Sequence, residues 1–400
     1  MKKLTKNKYL ILRITHFLKG LLFSFFYSFI YTKRKKIIIF NSSCNQDFTW
    51  NAKSLFINGR EQLNKLGYKT LFVINDEKKR NLLKKKYGDY FINNQSIKEI
   101  HLIYTSAVWI LSTLETPCSG IFLNKNRFVF HLGHGTPIKN IGLCENKISI
   151  LKKIFYLLND TNISLYLSTS EYFAPYMKNA FGTNINKIIT APQPRIFDIT
   201  NTKKNKNNLE FKSNKKYILY APTWRPYLGL KIFPFESFNV SEVNAYLEDL
   251  NIIILLRLHP RFEDNLEPFL HDNIINYDTS LCSDISDSLM YTDAIITDYS
   301  SIFCDYLILN KPVAVLPYDI EQYTREVGFS HDYKDIFPNY TIYNQNDFLT
   351  FCKLVSENKF NTSPQTSLCK KLNFIPEDGN VIEYNIKLID TEYNKRWKLE

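Results

Sequence analysis

Four apolar runs, each broken off by a short polar cluster, constrain this chain more than any other feature. Phe128-Val129-Phe130 leads into His134-Gly135-Thr136-Pro137, and Tyr217-Ile218-Leu219-Tyr220 into Pro222-Thr223-Trp224-Arg225. Ile252-Ile253-Ile254-Leu255-Leu256 ends in Arg257-Leu258-His259-Pro260, and Ala294-Ile295-Ile296 ends in Thr297-Asp298-Tyr299-Ser300-Ser301. A strand buried on both faces reads as a continuous aliphatic run rather than as an alternation. Ligands of open parallel sheets sit at the carboxyl ends of such strands. The pattern predicts a site rich in His, Arg, Ser and Thr, the side chains that grip and transfer phosphate.

The alternation of strand and helix patterns predicts an α/β fold with parallel sheets. Strands are expected at 37–40, 70–74, 108–111, 128–130, 165–168 and 187–190, with helices at 53–66 and 171–181. A Lys- and Asn-rich stretch at 200–216 then interrupts the pattern, and it resumes from 217 to about 317. At 400 residues the chain exceeds what one core normally organises. We therefore expect a basic segment at 1–36, a Rossmann-like domain at 37–199 and a linker at 200–216. A second Rossmann-like domain follows at 217–376, then a helix at 377–400. A predominantly helical stretch from 321, with a weak strand signal at 340–343, completes the pattern. Two Rossmann-like halves facing across a cleft form the GT-B arrangement.

The net charge of +12 is concentrated at one end. Residues 1–36 carry ten Lys and Arg and no acid, which leaves the body near neutral. A broad nucleic-acid groove is therefore not expected. The stretch 9–31 is basic on one helical side in its first half and almost wholly apolar in its second, and Lys33-Arg34-Lys35-Lys36 closes it. Its uncharged part is about half the roughly 20 residues that span a bilayer. A basic amphipathic helix lying on an anionic membrane surface fits better than a signal peptide or a spanning anchor. The remaining reading is a solvated tail that packs its apolar side on its own domain.

Seven cysteines at 44, 118, 144, 282, 304, 352 and 369 show no paired or metal-ligand spacing, so free thiols are expected. No metal site is expected, and no G-x-G-x-x-G follows the first strand, so no dinucleotide cofactor is expected. Serine-hydrolase, Walker and zinc-protease signatures are also absent.

Each cluster has a chemical and a structural reading. Thr136 and Pro137 suit the start of a helix, which would put His134 where anions bind and where an imidazole can act as general base. Structurally, His134 is a turn histidine. Arg257 and His259, two apart on a strand end, would point to one side, with Pro260 ending the strand. Their structural reading is a buried ion pair and a strand cap. Ser300 or Ser301 can cap a helix over 302–309 and present hydroxyls to phosphate, or serve only as the cap. Thr223 and Arg225 repeat the arrangement, or form a surface turn. His131, inside a strand, reads as structural.

Together these residues resemble the CDP-glycerol glycerophosphotransferase family, primases and polymerases of teichoic-acid-type and some capsular polymers. The resemblance runs from about 37 to 385. It includes His134-Gly-Thr-Pro-Ile-Lys139, Ala191-Pro-Gln-Pro-Arg-Ile-Phe-Asp198, Tyr220-Ala-Pro-Thr-Trp-Arg225 and Arg257-Leu-His-Pro260. Asp284-Ile-Ser-Asp287, Thr297-Asp-Tyr-Ser-Ser301, Lys311-Pro312, Tyr318-Asp-Ile-Glu321 and Glu377-Asp-Gly379 extend it. The family often has Trp before its His-Gly-Thr-Pro, where Gly133 stands here, and Gln193-Pro194-Arg195 departs from its usual Gly-Tyr-Pro-Arg.

The resemblance implies a GT-B enzyme at the cytoplasmic membrane face that needs no cofactor. Such an enzyme transfers glycerol phosphate or a related polyol phosphate from a CDP-activated donor to a hydroxyl of a lipid-linked acceptor, polyprenyl-diphosphate-linked in this reading, and releases CMP. It implies His134 as base and His259 as the second essential histidine near the donor phosphates. Gly135, Thr136, Thr223, Arg225, Arg257, Asp298, Ser300 and Ser301 are implied on the donor side. A nucleotide-sugar glycosyltransferase of the same fold and a non-catalytic membrane-surface protein are the alternatives.

Overall fold

The computed structural model describes residues 20–201, 211–225, 227–236, 238–258, 266–282 and 284–397. The chain forms two compact units, one built from residues up to 134 with 148–195 and 375 onward, the other from 135–147 and 196–374.

The first unit is organised by a seven-stranded sheet of order β3-β2-β1-β4-β5-β6-β7, every pair parallel. Its strands are β1 (Lys35–Asn41), β2 (Lys69–Val73), β3 (Phe91–Ile92), β4 (Ser106–Leu111), β5 (Phe128–His131), β6 (Leu165–Ser168) and β7 (Ile188–Thr190). The central strands β4 and β5 are buried along their whole length, as their unbroken apolar runs require. Helix α1 (Trp50–Lys65) follows β1, and α2 (Ile150–Asp160) follows β5.

The second unit has a five-stranded parallel sheet of order β10-β9-β8-β11-β12. Here β8 is Lys216–Ala221, β9 Ile252–Leu256, β10 Ile274–Asn276, β11 Ala294–Thr297 and β12 Val313–Val315. Ile218, Ile254, Leu256 and Ile296 from three adjacent strands form its core with Phe348 and Phe351. The short helix α3 (Ile302–Tyr306) leaves β11 and continues as a single 3-10 turn to Leu309.

Two stretches belong to units other than those expected from order along the chain. Residues 135–147 join the second unit, where Asn140 N donates to Gly328 O (3.1 Å) and Ser330 N to Ile138 O (3.0 Å). Lys147 Nζ also meets Glu326 Oε2 at 2.8 Å. Helix α4 (Val381–Trp397), expected as a separate terminal element, packs on α1 of the first unit. Gly59 makes that approach possible: a Cβ there would stand 3.2 Å from Ile386 Cδ1 and 3.4 Å from Ile382 Cγ2. Asn385 Nδ2 donates to Pro192 O (2.9 Å) and Tyr68 Oη to Asp390 Oδ1 (2.8 Å), which fixes α4 at two further points.

The expected linker at 200–216 falls largely outside the described residues. The strand signal at 340–343 gives only an isolated bridge between Thr341 and Val315. None of the seven cysteines is in a disulfide. Among the described residues no helix is long and apolar enough to cross a membrane.

Candidate active site

In the first unit the chemistry gathers where β1 and β5 end. Asn51, fully buried near the start of α1, donates from Nδ2 to Leu132 O (3.1 Å), Gly133 O (2.9 Å) and Gln193 Oε1 (3.3 Å). Its Oδ1 accepts from Arg195 N at 3.2 Å. One amide thus ties the β5 loop to the segment after β7. Gly133 turns that loop in the left-handed region (φ 67°), where a side chain would be strained. Arg195 Nη1 then holds His134 O at 2.7 Å.

The His134 ring is constrained on two sides. Its Nδ1 stands 3.2 Å from Ser112 O. A carbonyl only accepts, so Nδ1 carries the proton and Nε2 keeps its lone pair, the tautomer a base requires. The Trp50 indole stacks on the ring, with centroids 4.7 Å apart and planes at 29°. His134 is exposed by area, yet protein fills much of the volume around it. That crowding pushes its pKa below the ordinary histidine value; the Arg195 charge adds to the shift, while the Ser112 hydrogen bond and Glu115 oppose it. His131 behaves differently. Buried between Tyr166 and Phe181, it is pushed down to about 3 by burial, and so is a neutral core residue.

In the second unit three of the polar clusters follow the adjacent strands β9, β8 and β11. Arg225 and Asp298, expected on the donor side, are spent on each other. Arg225 is fully buried, and its Nη1 meets Asp298 Oδ2 at 2.5 Å. Its Nε and Nη2 grip Asp319 in a two-pronged pair (3.0 and 2.9 Å), and Nη1 also donates to Thr223 O. Asp298 accepts from Thr223 N at 2.9 Å on both oxygens and from Tyr299 N at 2.5 Å. Tyr227 and Tyr299 hydroxyls donate to Asp319 (2.8 and 3.1 Å), and the Tyr318 ring lies 4.5 Å from the guanidinium.

Burial works to lower the Arg225 pKa, but the bonds to Asp319 and the charge of Asp298 raise it well above the ordinary value. For Asp319, burial works upward, and Arg225 with the two tyrosines holds it below the usual carboxylate range. This network fixes the loops after β8 and β11 against one another.

Arg257 follows the last residue of β9, half-buried, and its Nη1 donates to Tyr277 O (3.0 Å) and Cys282 O (2.8 Å). Ser301 stands at the N-cap of α3 without a side-chain cap bond, and Ser300 Oγ accepts weakly from Ile302 N at 3.4 Å. Thr136 Oγ1 and Thr223 Oγ1 are buried and meet no hydrogen-bond partner among the described residues. A buried hydroxyl without a partner is costly and calls for a ligand or water. Lys139 is pushed down to about 8 by burial, with Arg225 adding and Asp298 opposing. His259 lies outside the described residues. Among the described residues no group of three metal-ligating side chains occurs.

The first unit also carries an apolar surface. Residues 20–30 are helical, ending in a π-helical turn (Phe26–Ile30). Tyr27 stacks on Tyr104 at 4.8 Å and anchors this segment, while Leu22, Phe25, Phe26, Phe29 and Ile30 stay exposed. Helix α2 has no buried residue, and Ile150 and Leu151 are 75% and 67% exposed. Ile154, Phe155, Leu157 and Leu158 continue its apolar face, with Lys152 and Lys153 in the same helix. The spacing of those residues was a readable sign of a basic amphipathic helix that the sequence expectations did not include. The membrane expectation at 1–36 lies partly outside the described residues.

Comparisons with known proteins agree in direction. The family model described as CDP-glycerol:poly(glycerophosphate) glycerophosphotransferase matches residues 23–390. The chain is 25% identical over 347 residues to a teichoic acid glycerol-phosphate transferase of Staphylococcus aureus (strain NCTC 8325 / PS 47), covering 81% of this chain and 85% of that protein. It is 31% identical over 270 residues to a teichoic acid glycerol-phosphate primase of Bacillus subtilis (strain 168), covering 63% and 66%. Among solved structures, the wall teichoic acid polymerase TagF matches with a TM-score of 0.73 at 18% identity, over 96% of this chain and 98% of that one. At that identity the likeness speaks for the fold.

Proposed function

Because the chain belongs to the CDP-glycerol:poly(glycerophosphate) glycerophosphotransferase family, we propose that it transfers glycerol phosphate from CDP-glycerol to an acceptor hydroxyl in cell-wall polymer synthesis. The family match across residues 23–390 carries this reading. The His134 tautomer and the two buried hydroxyls without partners support it.

In this reading the first unit presents the acceptor and the second holds the donor. Nε2 of His134 takes the proton of the acceptor hydroxyl as its oxygen bonds to the β-phosphorus of CDP-glycerol. The bond from that phosphorus to the bridging oxygen breaks, and CMP leaves. Phosphoryl transfer of this kind depends on in-line positioning and on neutralising the equatorial oxygens. Arg257, Thr136, Gly135, Thr223 and the Ser300–Ser301 turn hold the diphosphate, and His259 meets the charge on the leaving phosphate. Arg225 and Asp298 act one step back by fixing the loops that carry these groups.

The test follows phosphorus: donor labelled in the glycerol phosphate should give labelled product and CMP. Release of a nucleoside diphosphate would instead support a glycosyltransferase. His259→Ala should lower turnover by about 10²- to 10³-fold, as loss of one electrostatic contact does.

The acceptor in this reading is lipid-linked, and the enzyme works as a peripheral protein at the cytoplasmic membrane face. The exposed apolar residues of 20–30 and α2 would lie in the headgroup region, with Lys152 and Lys153 drawn to anionic lipid. Burying one such side chain is worth roughly 1.5–3 kcal/mol. Ile154→Asp with Phe155→Asp should therefore cut binding to anionic vesicles by about tenfold or more and leave turnover of a soluble acceptor intact. Unchanged flotation with vesicles would reject α2 as a lipid contact.

A further inference from the structure

His134 is held by more than its hydrogen bond. Trp50, the first residue of α1, lays its indole on the imidazole at 4.7 Å between centroids. It does so from a left-handed backbone conformation (φ 61°) that a bulky side chain rarely adopts. Strain of this kind persists where its surroundings over-determine it, and it clusters at functional sites. The surroundings here are explicit. Ala52 N donates to Ser112 Oγ at 2.8 Å, and Asn51 is buried and bonded to both the β5 loop and the segment after β7. The turn that strains Trp50 is thus pinned to Ser112, whose carbonyl fixes the His134 tautomer.

We propose that Trp50 is a positioning residue for phosphoryl transfer: its indole fixes the plane of the His134 ring and its π face stabilises the imidazolium formed when the acceptor proton is taken. The proposal rests on the reading of His134 as base. Between them, Ser112 sets the tautomer, Trp50 blocks one face, and the Nε2 edge remains for the acceptor hydroxyl. An indole face attracts a cation, and this attraction exists only after proton transfer. The charged groups around the ring are Arg195, which opposes protonation, and Glu115, which favours it, while nearby His131 stays neutral. Trp50 acts with Glu115.

Trp50→Leu keeps the site apolar and removes the π face. With CDP-glycerol and a soluble acceptor, kcat should fall by about tenfold through lost orientation, with the donor KM unchanged. The acidic limb of the kcat/KM profile should move down by roughly half a pH unit, because an imidazolium without its indole protonates less readily. Trp50→Phe should restore most of both. The His134 imidazole, followed by NMR, should show the same displacement without reference to activity. A Trp50→Leu variant with normal kcat and imidazole titration would overturn the proposal. So would equal losses in Trp50→Leu and Trp50→Phe with the titration unmoved, which would mark a packing role. Turnover that survives His134→Ala would instead sink the base assignment, an outcome the NMR titration keeps separate.

Discussion

Replacing His134 with alanine will reduce kcat by about 10²- to 10⁴-fold, the range that general-base help contributes. The donor KM should stay near its wild-type value, because the proposed diphosphate contacts belong to the second unit, whereas His134 belongs to the first. Burial holds the His134 pKa below the ordinary value of ~6.5, so wild-type kcat/KM should fall only below that pH. The alanine variant should lack that acidic limb. His134→Asn preserves the carbonyl contact to Ser112 in part and should be as inactive, because no amide accepts a proton at neutral pH. Near-normal CMP release by a folded His134→Ala protein, or an acidic limb unchanged in it, would remove the histidine from the mechanism.

The second large effect is on stability. Arg225→Met should destabilise the protein by about 3–5 kcal/mol, because it leaves two buried carboxylates, Asp298 and Asp319, with no guanidinium between them. For a unit of this size that lowers the melting temperature by roughly 6–20 °C, measurable by circular dichroism. The pH dependence identifies the cause. In the wild type the Asp319 pKa is depressed, so its contribution is complete above the ordinary carboxylate pKa and is lost as pH falls through the lowered value. In the variant the Asp319 carboxyl loses the guanidinium that held its pKa down and takes up a proton more readily, which relieves its unpaired charge. The stability gap between the two proteins should therefore narrow from pH 7 to pH 5. Converting Asp298 and Asp319 to Asn in the same variant should recover part of the loss at neutral pH. A gap that is small, or that widens on acidification, would show that the network does not hold these loops.

The sheets were readable because burial on both faces leaves a mark in consecutive residues. Leu165–Ser168 is both the expected and the observed strand, and the runs before the four clusters are β5, β8, β9 and β11. Two-residue β3 is too short to leave such a mark. The site was only partly legible. Arg225 and Asp298 have the residue types of a phosphate pocket, but they stand 73 residues apart and pair with one another, with Asp319 as a third member. Local sequence does not encode such a partnership. Nor does it show that Trp50 would reach His134, which lies on a different strand end. Helix α2 is the opposite case: its apolar and basic spacing was present in the sequence.

The packing of α4 on α1 has a consequence for how the protein is made. Residues 381–397 leave the ribosome after every residue of the second unit, yet they cover Gly59 and bond to Pro192 and Tyr68 in the first. The half synthesised earliest therefore waits, with one helix face bare, until the other half has emerged. Protection of the nascent chain by a holdase would matter most during that interval.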